Sequence, residues 1–400
     1  MIALVGMNDS ATGANLDSMQ EHYKVSYDKI STVFLANTAG YFLSSISASF
    51  IFHRFGLQIS LATAAAGMSG GCIILSVAPA FVVFVLSLAL LGFGSGMYDT
   101  AITTFIAHEE DGVLMSLLYS CFGIGATFSP LIIGAFIDRG YDWNRYYNIP
   151  LGISVLLAIA GYLVFRGYEM PPDEAHDAHL LTAQAPQELT SGQEGQVIHA
   201  RAVLSAQERM KRTFRIKACW VGFGLIILAF ASGNTLSAWV VSFLIQERSS
   251  PTAPSRYVLS GLWAGIAIGR VFLSFLLDKR LGVRTFAITM LVATSGTLAI
   301  LYVNNYIVDA VTMVLVGVFM GPVTPKVLSS IGARVPPSLK GSAMSLTIGL
   351  GLIGSSVGPL LFGVVTGRGG LSTLPAVLIG ASLIACVLWA VLPTNRRRED

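Results

Sequence analysis

Two aspartates stand where the surrounding residues offer them no water. Asp99 lies in GFGSGMYDTAITTF, Gly92 to Phe105, inside a long run suited to lipid, and Asp9 lies in GMNDS, Gly6 to Ser10, close behind the apolar start of the chain. A charge near the centre of a membrane helix costs at least ~2.5 kcal/mol, so an acid kept there marks a pathway or a site by default. A carboxylate in a partly dry cavity favours its neutral form and can bind and release a proton near neutral pH. That is the chemistry of proton coupling. The plainer reading is that each acid hydrogen-bonds a neighbouring helix, and both readings stand at this point.

The spacing around each acid extends the pattern. Gly96, Asp99 and Thr103 share a helix face at i, i+3 and i+7, and Asn8, Thr12 and Asn15 form a stripe at i, i+4 and i+7 with Asp9 on its flank. Asp99 falls about five residues past the middle of its apolar run, roughly 7 Å off centre at 1.5 Å per residue, too deep for its short side chain to reach an interface. Tyr98, Asn234 and Trp239 are further cavity-lining candidates, with packing or an aromatic belt as the alternative. Lys326 follows Pro322 and Pro325 near the end of its run. Its long stem suits snorkelling to the interface, the alternative being a cavity cation that pairs an acid or an anionic solute. Arg270 is read as a structural ion pair or, second, as a solute contact.

The elements that hold these residues follow from composition. Of 400 residues, 54% are hydrophobic and 12% charged, with a mean hydropathy of +0.68. Soluble chains carry roughly 25% charge, so this is an all-α membrane protein. A net charge of +3 without a basic, aromatic-interleaved tract excludes nucleic acid as a partner. Apolar runs long enough to span occur near 31–52, 59–79, 81–107, 112–137 and 146–166, and then near 218–244, 256–277, 285–303, 307–329, 341–366 and 371–393. Five precede a polar gap and six follow it. Residues 1–20, too polar for lipid but acceptable beside a wet cavity, supply the twelfth span. It is short at its start, which fits a helix beginning abruptly at Met1 or a start codon further upstream.

The expected organisation is an N-terminal six-helix bundle (1–166), a linker (167–217), a C-terminal six-helix bundle (218–393) and a tail (394–400). The linker is polar and Pro/Gln-rich, then basic in ERMKRTFRIK, which suits a short helix lying on the membrane face. Arg54, Arg166, the Arg201–Lys217 cluster, the Lys279–Arg284 group, Arg334, Lys340 and Arg396–Arg398 fall on the linker side, against only Lys24, Lys29, Arg139, Arg145, Arg248, Arg256 and Arg368 as loop charges on the other, which places both termini in the cytosol. The acidic HEED at 108–111, on the same side, reads as a solvated loop.

The two halves repeat each other. An offset of 225 lays Gly40 on Gly265, Gly92 on Gly317 and Gly96 on Gly321, and an offset of 229 lays MSLLYSCFGIGATFSPLIIG on MSLTIGLGLIGSSVGPLLFG, with Pro130 on Pro359. A duplicated six-helix unit joined by a cytosolic linker is the layout of a carrier with its site between the halves.

On these motifs the chain resembles the major facilitator superfamily over nearly its full length. SFIFHRFGLQ is similar to that family's loop signature after the second helix, with Ser49 at a glycine position, His53 in place of the acid, and Arg54 retained. SFLLDKRLGVR echoes it with Asp278 and Gly282. GVFMGPVTPKV and LWAGIAIGRVF resemble fungal bypass-of-stop-codon-like members, and GMNDS with MYDTAITTF resembles the first and fourth helices of fucose–proton symporters. The resemblance implies gating roles for His53, Arg54, Arg270, Asp278, Pro130 and Pro359, and coupling roles for Asp9 and Asp99. It implies a secondary active transporter of a small, sugar-like solute in the plasma or vacuolar membrane, whose partners are that solute, protons and the bilayer. Efflux of a fungal secondary metabolite and a non-transporting receptor are the alternatives.

Other motifs carry nothing. Cys72, Cys121, Cys219 and Cys386 are scattered in apolar runs without ligand spacing. GLGLIG at 349–354 matches a dinucleotide fingerprint but follows no strand, and the NDS sequon at Asn8 lies inside a helix. Neither a cofactor nor an enzyme activity is expected.

Overall fold

The computed structural model describes residues 1–108, 112–166, 211–277 and 282–393, and these are helical with short connections. Asp278, most of the expected linker and the 394–400 tail lie outside the described residues, as does the His53 side chain. In chain order the helices are α1 (Ile2–Tyr23), α2 (Tyr27–Ile30), α3 (Thr32–Ser76), α4 (Phe81–His108), α5 (Gly112–Asp138) and α6 (Asn148–Val164). The second half comprises α7 (Lys217–Arg248), α8 (Thr252–Leu277), α9 (Val283–Ile300), α10 (Tyr306–Met320), α11 (Val323–Gly332), α12 (Pro337–Gly369) and α13 (Leu374–Val391).

The chain crosses twelve times in two pseudo-symmetric six-helix bundles. Ten stretches among the described residues are long and apolar enough to span by length and composition alone. The other two crossings are α1 and the first part of α3. They can carry polar residues because most of α1 is buried and one face of α3 turns inward. The second and third crossings run through one 45-residue helix, interrupted at Gly56 (φ 77°), a left-handed backbone that glycine adopts without a Cβ penalty. The tenth crossing is the opposite case. It breaks between α10 and α11 at Gly321–Pro322.

The repeated glycines explain why the duplication persists. A Cβ at Gly40 would strike the Ala89 carbonyl, and one at Gly92 the Asn37 carbonyl. In the second half, Gly265 meets the Val314 carbonyl and Gly317 the Leu262 carbonyl. These partners are themselves 225 residues apart, so α3 packs on α4 as α8 packs on α10, backbone against backbone.

The face that carries the starts of α1 and α7 is called the near face, and the opposite one the far face. Between the bundles, α5 packs along α8 and α1 against α7, whereas α3 touches α12 only slightly. Gly13 abuts Ser237 and Ala238. The Asp17 carboxylate accepts from Gln246 Nε2 (2.7 Å), and Arg256 Nη2 donates to Ser18 Oγ (2.7 Å). Tyr27 hydrogen-bonds Gln246 and sets its ring against Trp239, and Tyr257 reaches Asp138 Oδ2 (2.9 Å). These contacts lie from mid-depth to the far face. One apolar core crosses both bundles there, while a separate core around Phe223, Phe286 and Trp389 serves the near end of the second bundle alone.

Candidate functional site

On the near side of that seal the bundles part around a cavity of about 680 Å³, within the ~300–1,000 Å³ typical of ligand sites. Its floor is formed by Phe34, Ala238 and Pro359, and its walls descend toward the near face as far as Ser45 and Leu346. Four crossings supply the wall: α1, the first part of α3, α7 and α12.

Asp9 is on this wall, exposed to the cavity, and no side chain among the described residues hydrogen-bonds it. Asp99 stands one layer back. Tyr41, itself on the wall, donates its hydroxyl to Asp99 Oδ2, and Thr103 Oγ1 donates to Oδ1 at 3.5 Å. The two carboxylates are near enough to feel each other's charge, with the Tyr41 phenol bound to the inner one. Helix spacing builds this arrangement. Gly96, one turn before Asp99, leaves the room in which Tyr41 and Ser44 lie against α4.

The remaining candidates divide. Thr12 lines the cavity and donates to the Asn8 carbonyl (3.4 Å), and Asn234 lines it from α7, donating to the Phe230 carbonyl (3.0 Å). Asn8 turns away from the cavity and donates to Ser95 Oγ (3.1 Å) inside the first bundle. Asn15 and Tyr98 are fully buried in that bundle. Trp239 is buried too, its indole N–H donating to the Pro359 carbonyl (3.1 Å) and its ring packed on Phe362. Pro359 therefore serves both as cavity floor and as acceptor for the far-face seal. Pro130, its counterpart in α5, is inside the helix and absent from the cavity wall.

Lys326 does not snorkel. Only 8% of it is exposed, and its ammonium lies 5.5 Å from the centre of the Phe286 ring, away from the cavity wall. Arg54 is exposed beside the Gly56 kink. Arg270 donates from Nε to the Gly321 carbonyl (3.3 Å). The partner of that carbonyl in a regular helix would be the N–H of residue 325, which is proline, so the guanidinium satisfies a group the break orphans.

Several residues of the cavity wall and the far side escaped the sequence reading. Asn37, Thr38, Tyr41 and Ser45 all reach the wall from α3. Their signal was present in NTAGYFLSS, where polar residues at i, i+1, i+4 and i+8 mark one face of a helix. Arg248 and Arg256, counted as loop charges on the far side, lie within α7 and α8. Arg256 is wholly buried, and Arg248 forms a 2.9 Å ion pair with the buried Asp309.

Comparison with known proteins agrees with this architecture. The model of the Major Facilitator Superfamily matches residues 1–280 and 221–400. The chain is 22% identical to "Bypass of stop codon protein 6" of Saccharomyces cerevisiae, over 98% of this chain and 81% of that protein. It is also 22% identical to the glucose/mannose transporter GlcP of Bacillus subtilis, over 95% and 91%. Among solved structures, the D-xylose–proton symporter superposes with a TM-score of 0.72 at 15% identity, covering 99% of this chain and 96% of that one. With two overlapping matches that together take in the whole chain, and the duplicated bundle behind them, the protein belongs to the Major Facilitator Superfamily.

Proposed function

We propose that the protein is a proton-coupled secondary carrier that moves a small, uncharged, sugar-like organic solute by alternating access. The observation that carries the reading is Asp9, a carboxylate on the cavity wall with no hydrogen-bond partner among the described residues, backed by the Tyr41–Asp99 pair. A carboxylate placed so can be protonated from the cavity and cross the low-dielectric middle of the bilayer uncharged. Tyr41, whose hydroxyl can both donate and accept, links the cavity to the second acid. Sugar-like solutes suit Asn37, Thr38 and Thr12, which offer donors and acceptors but no charge. The relatives named for glucose, mannose and xylose support the same class.

With the linker (167–217), tail (394–400) and both termini in the cytosol of a plasma or vacuolar membrane, the cavity faces the cytosol. Direction of net transport is then set by the gradients, because each step is reversible. The test is solute-driven proton movement in proteoliposomes loaded with a pH-sensitive dye, across a panel of neutral sugars and their conjugates. Flux that is lost in Asp9→Asn and Asp99→Asn supports the coupling. Solute flux without proton movement, or unaffected variants, would sink it.

A further inference from the structure

The cavity is not equally polar all round. The first bundle brings Asp9, Thr12, Asn37, Thr38, Tyr41 and Ser45 to the wall, interleaved with Phe34 and Phe42. Like Asp9, Asn37 and Thr38 have no side-chain hydrogen-bond partner among the described residues, so their polar groups are unspent. From the second bundle, α12 presents Leu346, Leu350, Leu352 and Ile353. The polar groups on that side are fewer, and each already makes one hydrogen bond within its own bundle. Ser355 Oγ donates to the Leu352 carbonyl (2.8 Å), Asn234 donates to the Phe230 carbonyl (3.0 Å), and Ser237 Oγ accepts from Trp263 (3.1 Å). Among the described residues the wall carries no lysine or arginine, and its one charged group is Asp9.

We propose that the solute is an amphiphile held in one orientation, with an uncharged hydroxyl-bearing head against α1 and α3 and an apolar end against α12. The inference rests on the carrier reading and narrows its substrate class. A bare sugar would put hydroxyls against the leucines of α12, where each loses its water without gaining a partner, and burying an unpaired hydroxyl is unfavourable. An apolar substituent on the sugar instead removes the α12 side chains and itself from water together. Phosphorylated or carboxylated solutes meet Asp9 and find no cation to offset it, so they are excluded. Space is sufficient, since the cavity is of a size that holds drug-sized molecules rather than a single ring.

The test uses the full chain in lipid nanodiscs and three probes that share one head: D-glucose, phenyl β-D-glucoside and glucose 6-phosphate. The expected result is that the phenyl glucoside binds roughly tenfold or more tighter than glucose, and that the phosphate does not bind. Leu350→Ala and Ile353→Ala should shrink the glucoside's advantage over glucose toward parity. Thr38→Val, nearly isosteric, should weaken both neutral probes alike. Equal or tighter binding of free glucose, binding of the phosphate, or a glucoside preference that ignores both α12 variants would overturn the orientation and leave the carrier reading intact. If neither neutral probe binds while another solute drives protons in the dye assay, the hydroxyl head is overturned alone. If no solute drives protons or exchanges, the carrier reading falls and takes the inference with it.

Discussion

Tyr23 and Phe84 in the first bundle and Arg248 and Asp309 in the second occupy the same place. Both members of each pair are related by the offset of 225 that aligns the glycines. In one bundle two rings meet with centroids 4.8 Å apart, and in the other a guanidinium and a buried carboxylate meet at 2.9 Å. The cavity reverses the pattern. Asp9 corresponds to Asn234, so the first bundle places a charge on the cavity wall where the second places a neutral amide. The duplicated skeleton fixes where side chains meet. It leaves open what chemistry they bring, and the two copies differ: a cavity-wall acid in one, a charged clamp inside the far end of the other.

The comparison can be broken in graded steps. The largest effect is expected for Asp309→Ala, which leaves the half-buried Arg248 guanidinium with only the Leu301 carbonyl and the Phe243 ring, and costs about 3 kcal/mol. It should be visible as a lower melting temperature by intrinsic fluorescence in detergent. Installing the first bundle's solution through Arg248→Tyr with Asp309→Phe should cost less than that single change. A cycle in which the double variant is worse than Asp309→Ala would show that the places are not interchangeable. Next is Asp9→Asn, which gives the first bundle the amide found at the equivalent position of the second. Solute-driven proton flux should fall on the order of a hundredfold or more, whereas solute exchange without net proton movement persists. Adding a Cβ at Gly92 or at Gly317 forces a carbonyl aside, and each alanine variant should lose about 1–3 kcal/mol by thermal melting. Similar losses at the two sites would confirm that the α3–α4 and α8–α10 pairs are one design. The mildest change is Tyr41→Phe, which removes only the hydroxyl that reaches Asp99. A rate loss of about tenfold with unchanged stability is expected, read in the same dye assay.

Much of this was legible in the residues because a bilayer leaves few alternatives. Uninterrupted apolar runs have to span, and Gly92 with Gly317 cannot match at a fixed offset across so many helices by apolar composition alone. Asp9 and Asp99 stood out for the same reason. What stayed hidden depends on where one helix stops and on what lies opposite. Arg256 read as a loop charge because the turn between α7 and α8 is short, with Ser249 in a left-handed conformation (φ 50°), and α8 begins earlier than hydropathy suggests. Lys326 read as a snorkelling cation because nothing in PVTPKV says that Phe286 stands beside it. The α3 wall residues were visible as a polar stripe. The stripe alone does not say which neighbour it faces, and Tyr41 acquires its meaning only from Asp99, 58 residues away.

The contact between Gly13 and Ala238 has a consequence for motion. These two positions are themselves related by the offset of 225, so each residue touches its own counterpart, and such a contact sits on the axis that relates the bundles. Points on an axis travel least when the bodies around it turn. A Cβ on residue 13 would stand 2.9 Å from the Ala238 Cα, so the absent side chain lets two backbones bear directly on each other. In the alternating access proposed above, Gly13 would be the fulcrum, the spot where the halves tilt past one another without letting go.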